Sequence, residues 1–137
     1  MVRSILLWGI VTAMLSVLFG AFGAHALKTI VRPDQLQIFE TGVRYQMMHA
    51  LALIGLALYA DAKQSLGVNQ KQIRWIARFL IMGIFLFSGS LYGLVLLSNC
   101  AVGISRILGP ITPLGGLCFM LGWAVWARLV FIHKVDK

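Results

Sequence analysis

The sequence predicts an all-α membrane protein: four transmembrane helices in a bundle, with an amphipathic interfacial helix before the second span. Three observations carry this reading. The 137 residues are 60% hydrophobic and 12% charged, with a mean hydropathy of +0.89. A water-soluble domain is nearer half apolar and a quarter charged, and needs that charge to stay in solution. Four apolar runs stand in the chain, and a crossing helix uses roughly 20 residues, so the length accommodates four spans and short loops as one integral-membrane domain, residues 1–137. The Lys and Arg residues sit at the edges of these runs, where membrane proteins keep them for orientation.

The first span, residues 4–27, contains no charged side chain and extends about 36 Å as a helix. Arg3, the apolar run Ile5 to Phe19 and the Ala24-His25-Ala26 triplet together have the look of a cleavable signal peptide. Three further apolar runs follow, so the segment reads as an inserted span.

The stretch after Pro33 has a helical apolar stripe at Leu36, Phe39, Val43 and Met47. Pro33 suits a helix start and Asp34 its first turn. Glu40 and Arg44 are spaced for an i,i+4 ion pair. A helix from Pro33 to Ala60 is about 42 Å long, more than the roughly 30 Å hydrocarbon core. Its first turns therefore belong at the interface, bending at Gly42, and the second span is residues 43–60. Residues 61–72 form a polar connector. The third span is residues 79–98, flanked by Arg78 and Asn99. The fourth is residues 112–130, its regular helix opening on Thr112 as N-cap and Pro113 at the first helical position.

A formal charge of +8 and a pI near 10.2 invite a nucleic-acid reading, but the cations are not gathered on one solvated face, which excludes it. Of the 12 Lys and Arg residues, Arg3, Lys63, Lys71, Arg74, Arg78, Arg128, Lys134 and Lys137 lie on the side of the termini. Lys28, Arg32, Arg44 and Arg106 lie on the other. The excess predicts cytoplasmic N- and C-termini. Cys100 and Cys118 have no paired spacing and read as ordinary small residues.

A count of 1.5 Å per residue from the cytoplasmic end of each span sorts the interior polar groups. His49 lies about 18 Å deep, level with Ser16, Ser88, Ser90, Gly116 and Cys118. An ionisable group at this depth is expensive and faces the bundle interior with a partner, so His49 is expected to face Ser90 or Ser88. It is either a proton relay or ligand, or a neutral histidine bonded to hydroxyls and backbone. No intramembrane Asp or Glu completes a relay, which favours the second. His25 lies about 14 Å higher, too far to share a metal that needs both nitrogens within about 2.1 Å. It sits level with Glu40 instead.

Glu40, Arg44, Tyr45 and Gln46 form the densest polar cluster, placed either to bind a small anion or lipid headgroup or to tie the interfacial helix to the bundle mouth. Gly115 and Gly116, at the start of the fourth span, either offer amides to an anion or permit close helix packing. The Gly20-x-x-x-Ala24 and Gly89-x-x-x-Gly93 motifs read as intramolecular seams. No nucleophile–base constellation, phosphate loop or zinc spacing is present, so the sequence nominates no catalytic residue, no metal and no cofactor.

The strings GAFGAHAL (Gly20 to Leu27), ETGVRYQMMHALAL (Glu40 to Leu53), LFSGSLY (Leu86 to Tyr92) and ITPLGG with FMLGW (Ile111 to Trp123) resemble the YgdD and transmembrane-protein-256-like family of small membrane proteins, domain of unknown function 423. The resemblance covers nearly the whole chain. It implies four membrane helices and, the family being uncharacterised, no activity. Its motif residues fall here on Gly20, Gly23, His25, Tyr45, Gln46, His49, Ser88, Gly89, Ser90, Tyr92, Thr112, Pro113, Gly115 and Gly116.

The candidate ligand-binding residues are therefore His25, Glu40, Arg44, Tyr45, Gln46, His49, Ser88, Ser90, Tyr92, Thr112, Gly115 and Gly116. The expectation is a non-enzymatic inner-membrane protein, an accessory or assembly component or one that binds a lipid-like ligand. Its partners would be membrane lipids and another membrane protein or a second copy. The rival expectation is a small oligomeric transporter or channel using the polar layer around His49.

Overall fold

In the computed structural model of the protein the described residues are 1–63, 69–97 and 103–135. Asn99, Cys100, Lys137 and residues 64–68 of the connector lie outside them. Every element among the described residues is helical. Helix α1 is Val2–His25, continued by a 3-10 turn at Leu27–Thr29, where the Thr29 hydroxyl donates to the Ala26 carbonyl at 2.8 Å. Helix α2, Pro33–Ala62, opens as expected on Pro33, with the Arg32 amide donating to Gln35 Oε1 at 3.2 Å and Arg32 paired to Asp34 at 2.8 Å. Its 30 residues span about 45 Å, and the helix runs through Gly42 as one element.

Helix α3, Gln70–Gly83, starts well before the expected span because Asn69 caps it: Oδ1 accepts from the Lys71 amide at 3.0 Å and the Gln72 amide at 3.3 Å. A π-helical turn, Ile84–Ser88, then leads into α4, Gly89–Leu96. Helix α5 is Ile104–Val135, entered from Gly103, whose φ of 91° suits glycine.

The long α5 corrects the expected start at Thr112. Pro110 and Pro113 lie inside the helix, and Thr112 is no N-cap. Each proline removes one ladder bond near the helix start, and the Thr112 hydroxyl reaches the Leu108 carbonyl at 3.5 Å. Gly115 and Gly116 consequently sit in mid-helix, where their amides belong to the ladder. They form no N-terminal anion cradle.

Among the described residues three segments are long and apolar enough to cross a membrane: Val2–Thr29, Gln70–Leu96 and Arg106–Ile132. Helix α2 is not among them, since Arg44, Gln46 and His49 interrupt its apolar half. Helix α1 packs on α2, α2 packs on α3 and α4, and α5 packs on α3, the π turn and α4 and meets α2 through Phe119 and Trp123. The main core lies between α2, α3 and α5, with Leu53, Leu56, Ala60, Ile73, Ile76, Leu80, Phe119 and Leu129 buried together. A smaller cluster of Leu27, Phe39 and Val95 closes the other end.

Glycine decides how closely the helices pack. A Cβ on Gly9 would lie 2.7 Å from Ile54 Cγ1 and 3.0 Å from the Ala50 carbonyl oxygen, so α1 rests on the α2 backbone there. A Cβ on Gly115 would strike the Phe87 backbone nitrogen and lie 2.7 Å from Phe87 Cα. The π turn widens its helix, and the absence of a side chain at Gly115 makes room for it. Gly20 faces Val43 at 3.6 Å, the intramolecular seam expected. Gly89 has no atom within 4 Å, so its motif is not a seam at that position.

Candidate functional site

The expected polar residues divide into two tiers and an exposed set. In the first tier, Gln46 bridges two helices. Its Nε2 donates to the Thr12 carbonyl of α1 at 2.9 Å, and its Oε1 accepts from the Tyr92 hydroxyl of α4 at 2.8 Å. A carbonyl can only accept, so the amide orientation is fixed by its partners. Alongside, the Ser16 hydroxyl donates to the Val43 carbonyl at 2.9 Å. The Tyr92 ring lies 4.9 Å from Phe39 and 5.0 Å from Phe19, so this polar bridge is wrapped in aromatic carbon. Ser90 forms a second bridge, to α5: its hydroxyl meets Thr112 Oγ1 at 2.7 Å and donates to the Phe87 carbonyl at 2.9 Å.

The second tier is His49, 5% exposed. Its Nδ1 lies 2.8 Å from the Tyr45 carbonyl and its Nε2 accepts from the Trp123 indole N–H at 3.3 Å. An indole N–H only donates and a carbonyl only accepts. The ring is therefore the neutral Nδ1–H tautomer, with both nitrogens committed. One face of the ring stacks on Phe119 with centroids 3.4 Å apart and planes 9° apart. Tyr45 continues the stack, 4.5 Å from Phe87.

The expected Ser88 or Ser90 partner of His49 is thus replaced by Trp123. The depth count took every charged span end as level, from Asp61, Arg78 and Arg128, yet charged side chains reach the interface from different depths. Ser16 pairs at Val43, six residues nearer the α2 N-terminus than His49 and about 9 Å along α2. The expected layer resolves into one tier with Ser16, Ser90 and Thr112 and a second with His49, Phe119 and Trp123. Trp123, Phe119 and Thr12 were missed. Trp123 carried a readable signal, a donor-only indole inside an apolar run. Thr12 acts through its backbone and carried none.

Ser88 is 0% exposed and its hydroxyl has no hydrogen-bond partner. Ser88 closes the π turn, in which the Gly89 amide donates to the Ile84 carbonyl. A buried hydroxyl without a partner costs stability. Ser88→Ala is expected to raise the unfolding midpoint in detergent, by about 1 kcal/mol, whereas Ser90→Ala lowers it by a similar amount. Equal effects of the two substitutions would contradict this assignment.

His25, Glu40 and Arg44 are exposed, and the expected Glu40–Arg44 ion pair does not form: among the described residues the ion pair is Arg32–Asp34. Among the described residues no group of three or more His, Cys, Asp or Glu could hold a metal. Cys118 is a free, half-buried thiol.

Long apolar helices joined by buried polar bridges define an all-α integral membrane protein. The chain belongs to the family described as protein of unknown function (DUF423), which matches residues 19–116. That segment contains all twelve candidate residues, from His25 to Gly116, while Thr12, Phe119 and Trp123 fall outside it. The UPF0382 membrane protein YwdK of Bacillus subtilis is 43% identical over 115 residues, covering 84% of this chain and 85% of that relative. The UPF0382 membrane protein C1782.12c of Schizosaccharomyces pombe is 40% identical over 121 residues, covering 86% of this chain and 95% of its own length. The UPF0382 inner membrane protein YgdD of Escherichia coli is 35% identical over 123 residues, covering 90% and 86%. No solved structure matches.

Proposed function

We propose that the chain is a non-enzymatic inner-membrane protein, an accessory or assembly component or one that binds a lipid-like ligand, with α2 as its fourth span. In this arrangement the first turns of α2 lie along the interface, where exposed Glu40 and Arg44 meet the headgroups, and both termini are cytoplasmic. The observation that carries the reading is the commitment of His49: both ring nitrogens bonded and one face covered by Phe119. A relay needs a nitrogen that is free to exchange its proton, and a ligand site needs an open lone pair. With Gln46, Ser90 and Tyr92 also bonded between helices, the interior polarity supports helix cohesion. What the protein offers to others is then its surface.

The transport reading is favoured by one feature, the unbonded Ser88 hydroxyl beside the π turn, a geometry frequent at functional sites. Mass spectrometry of the protein released directly from native membranes separates the two. A co-purifying subunit or lipid supports the accessory or binding reading, and a protein released with no other subunit or lipid, as a homo-oligomer of this chain that moves ions in proteoliposomes, overturns it. Reporter fusions to the C-terminus and to the 61–72 connector are expected to report the cytoplasm together. A periplasmic signal from either contradicts the four-span topology.

A further inference from the structure

The face of α3 opposite the core carries Lys71, Arg74, Trp75 and Arg78, at one-turn spacings. All four are exposed, while Ile73, Ile76, Ala77 and Leu80 on the other face are buried. The positions 71 to 78 cover about 10 Å of helix, directly before the apolar stretch that follows Arg78. Trp75 is 45% exposed, its ring 5.8 Å from Phe79 and 5.2 Å beneath the Arg78 guanidinium. Tryptophan prefers the boundary between headgroup and hydrocarbon, so the three cations are held at headgroup level.

Their charge is not paired within the described residues. No Asp or Glu occurs between Asp61 and Asp136, and among the described residues none of the three cations forms an ion pair. Elsewhere the chain does pair such a group, as at Arg32–Asp34. Three uncompensated cations on one face, anchored by an interfacial indole, call for an anion from outside, and at this depth the available anion is a phosphodiester.

We propose that the Lys71–Arg74–Arg78 face is a binding site for the headgroup of an anionic phospholipid, with Trp75 placed against its glycerol and upper acyl carbons. The arginines suit the role because a guanidinium grips a phosphate with two parallel hydrogen bonds. Tryptophan under Arg78 keeps that guanidinium extended along the helix surface. The proposal deepens the lipid-ligand arm of the proposed function and is independent of the accessory arm.

The test uses the full-length protein reconstituted in phosphatidylcholine vesicles with a minor fraction of phosphatidylglycerol, then released for native mass spectrometry. Retained phosphatidylglycerol is expected in preference to phosphatidylcholine. The Lys71→Gln/Arg74→Gln/Arg78→Gln variant should lose about a hundredfold in apparent affinity and each single variant about fivefold. A control at the opposite end of the helices, Lys28→Gln/Arg106→Gln, should retain the lipid. If the triple variant does not fold, the three single variants and a salt titration of the wild type carry the measurement. Equal retention by wild type and variants, or equal retention of the two lipids, overturns the site. Equal thermal stabilisation by inorganic phosphate alone assigns the face to a free anion and overturns the lipid. A protein that releases all lipid yet keeps a partner subunit overturns this site while leaving the accessory reading standing.

Discussion

Gly115→Val is expected to abolish the native packing of α5 on the π turn, at a cost of about 3 kcal/mol or more. The added carbon would lie 2.7 Å from Phe87 Cα and 2.8 Å from the Leu86 carbonyl carbon. Both are backbone atoms, so relief requires a helix to move and not a side chain to rotate. The displaced α5 carries Phe119 and Trp123 away from His49 and Thr112 away from Ser90. Gly89→Ala and Gly109→Ala are the controls, because neither position has an atom within 4 Å. Alanine there should be neutral or stabilising by up to about 1 kcal/mol through helix propensity. Unfolding in detergent, followed by circular dichroism, reads all three. A Gly115→Val protein as stable as the Gly89→Ala protein would remove close backbone packing as the reason for that glycine.

The second large effect is expected at His49. Its removal as His49→Ala takes away the stack on Phe119 and leaves the Trp123 indole N–H without its acceptor, costing about 3 kcal/mol. Trp123→Phe keeps the ring and leaves Nε2 unpaired, a smaller loss of about 1 kcal/mol. The double variant should then cost less than the sum, since one hydrogen bond is removed only once. Strict additivity would show that the 3.3 Å contact contributes nothing. In proteoliposomes the same His49→Ala variant distinguishes a structural histidine, lost through stability alone, from a relay, lost at full stability.

The two substitutions also mark where sequence reasoning reached and where it stopped. That Gly115 and His49 mattered was legible from their setting in apolar runs. What each touched was not. His49 had hydroxyls at its estimated depth and took an indole about two turns away from that level, because partner choice depends on which residues the packed helices turn toward each other. Gly115 read as the first turn of a helix because two prolines preceded it. The helix began at Ile104 instead and carries the prolines in its second and third turns, at the cost of one ladder bond each. The π turn left no trace, because one extra residue in five does not disturb an apolar run whose every position faces lipid or core.

Composition by itself determined the solvent. In lipid every backbone polar group must be bonded within the chain, so 60% hydrophobic residues in long uncharged runs sufficed to dictate helices and to set their approximate ends. The candidate polar residues were named by the same rule, being the few that lipid makes costly. Only the tertiary structure decided that Gln46 reaches Thr12 and Tyr92, that Trp123 fixes the His49 tautomer, and that α2 meets α1 on one side and α5 on another. Those outcomes depend on helix rotation and relative height, to tolerances of one residue, and an apolar run constrains neither. Packing against particular side chains and glycines does.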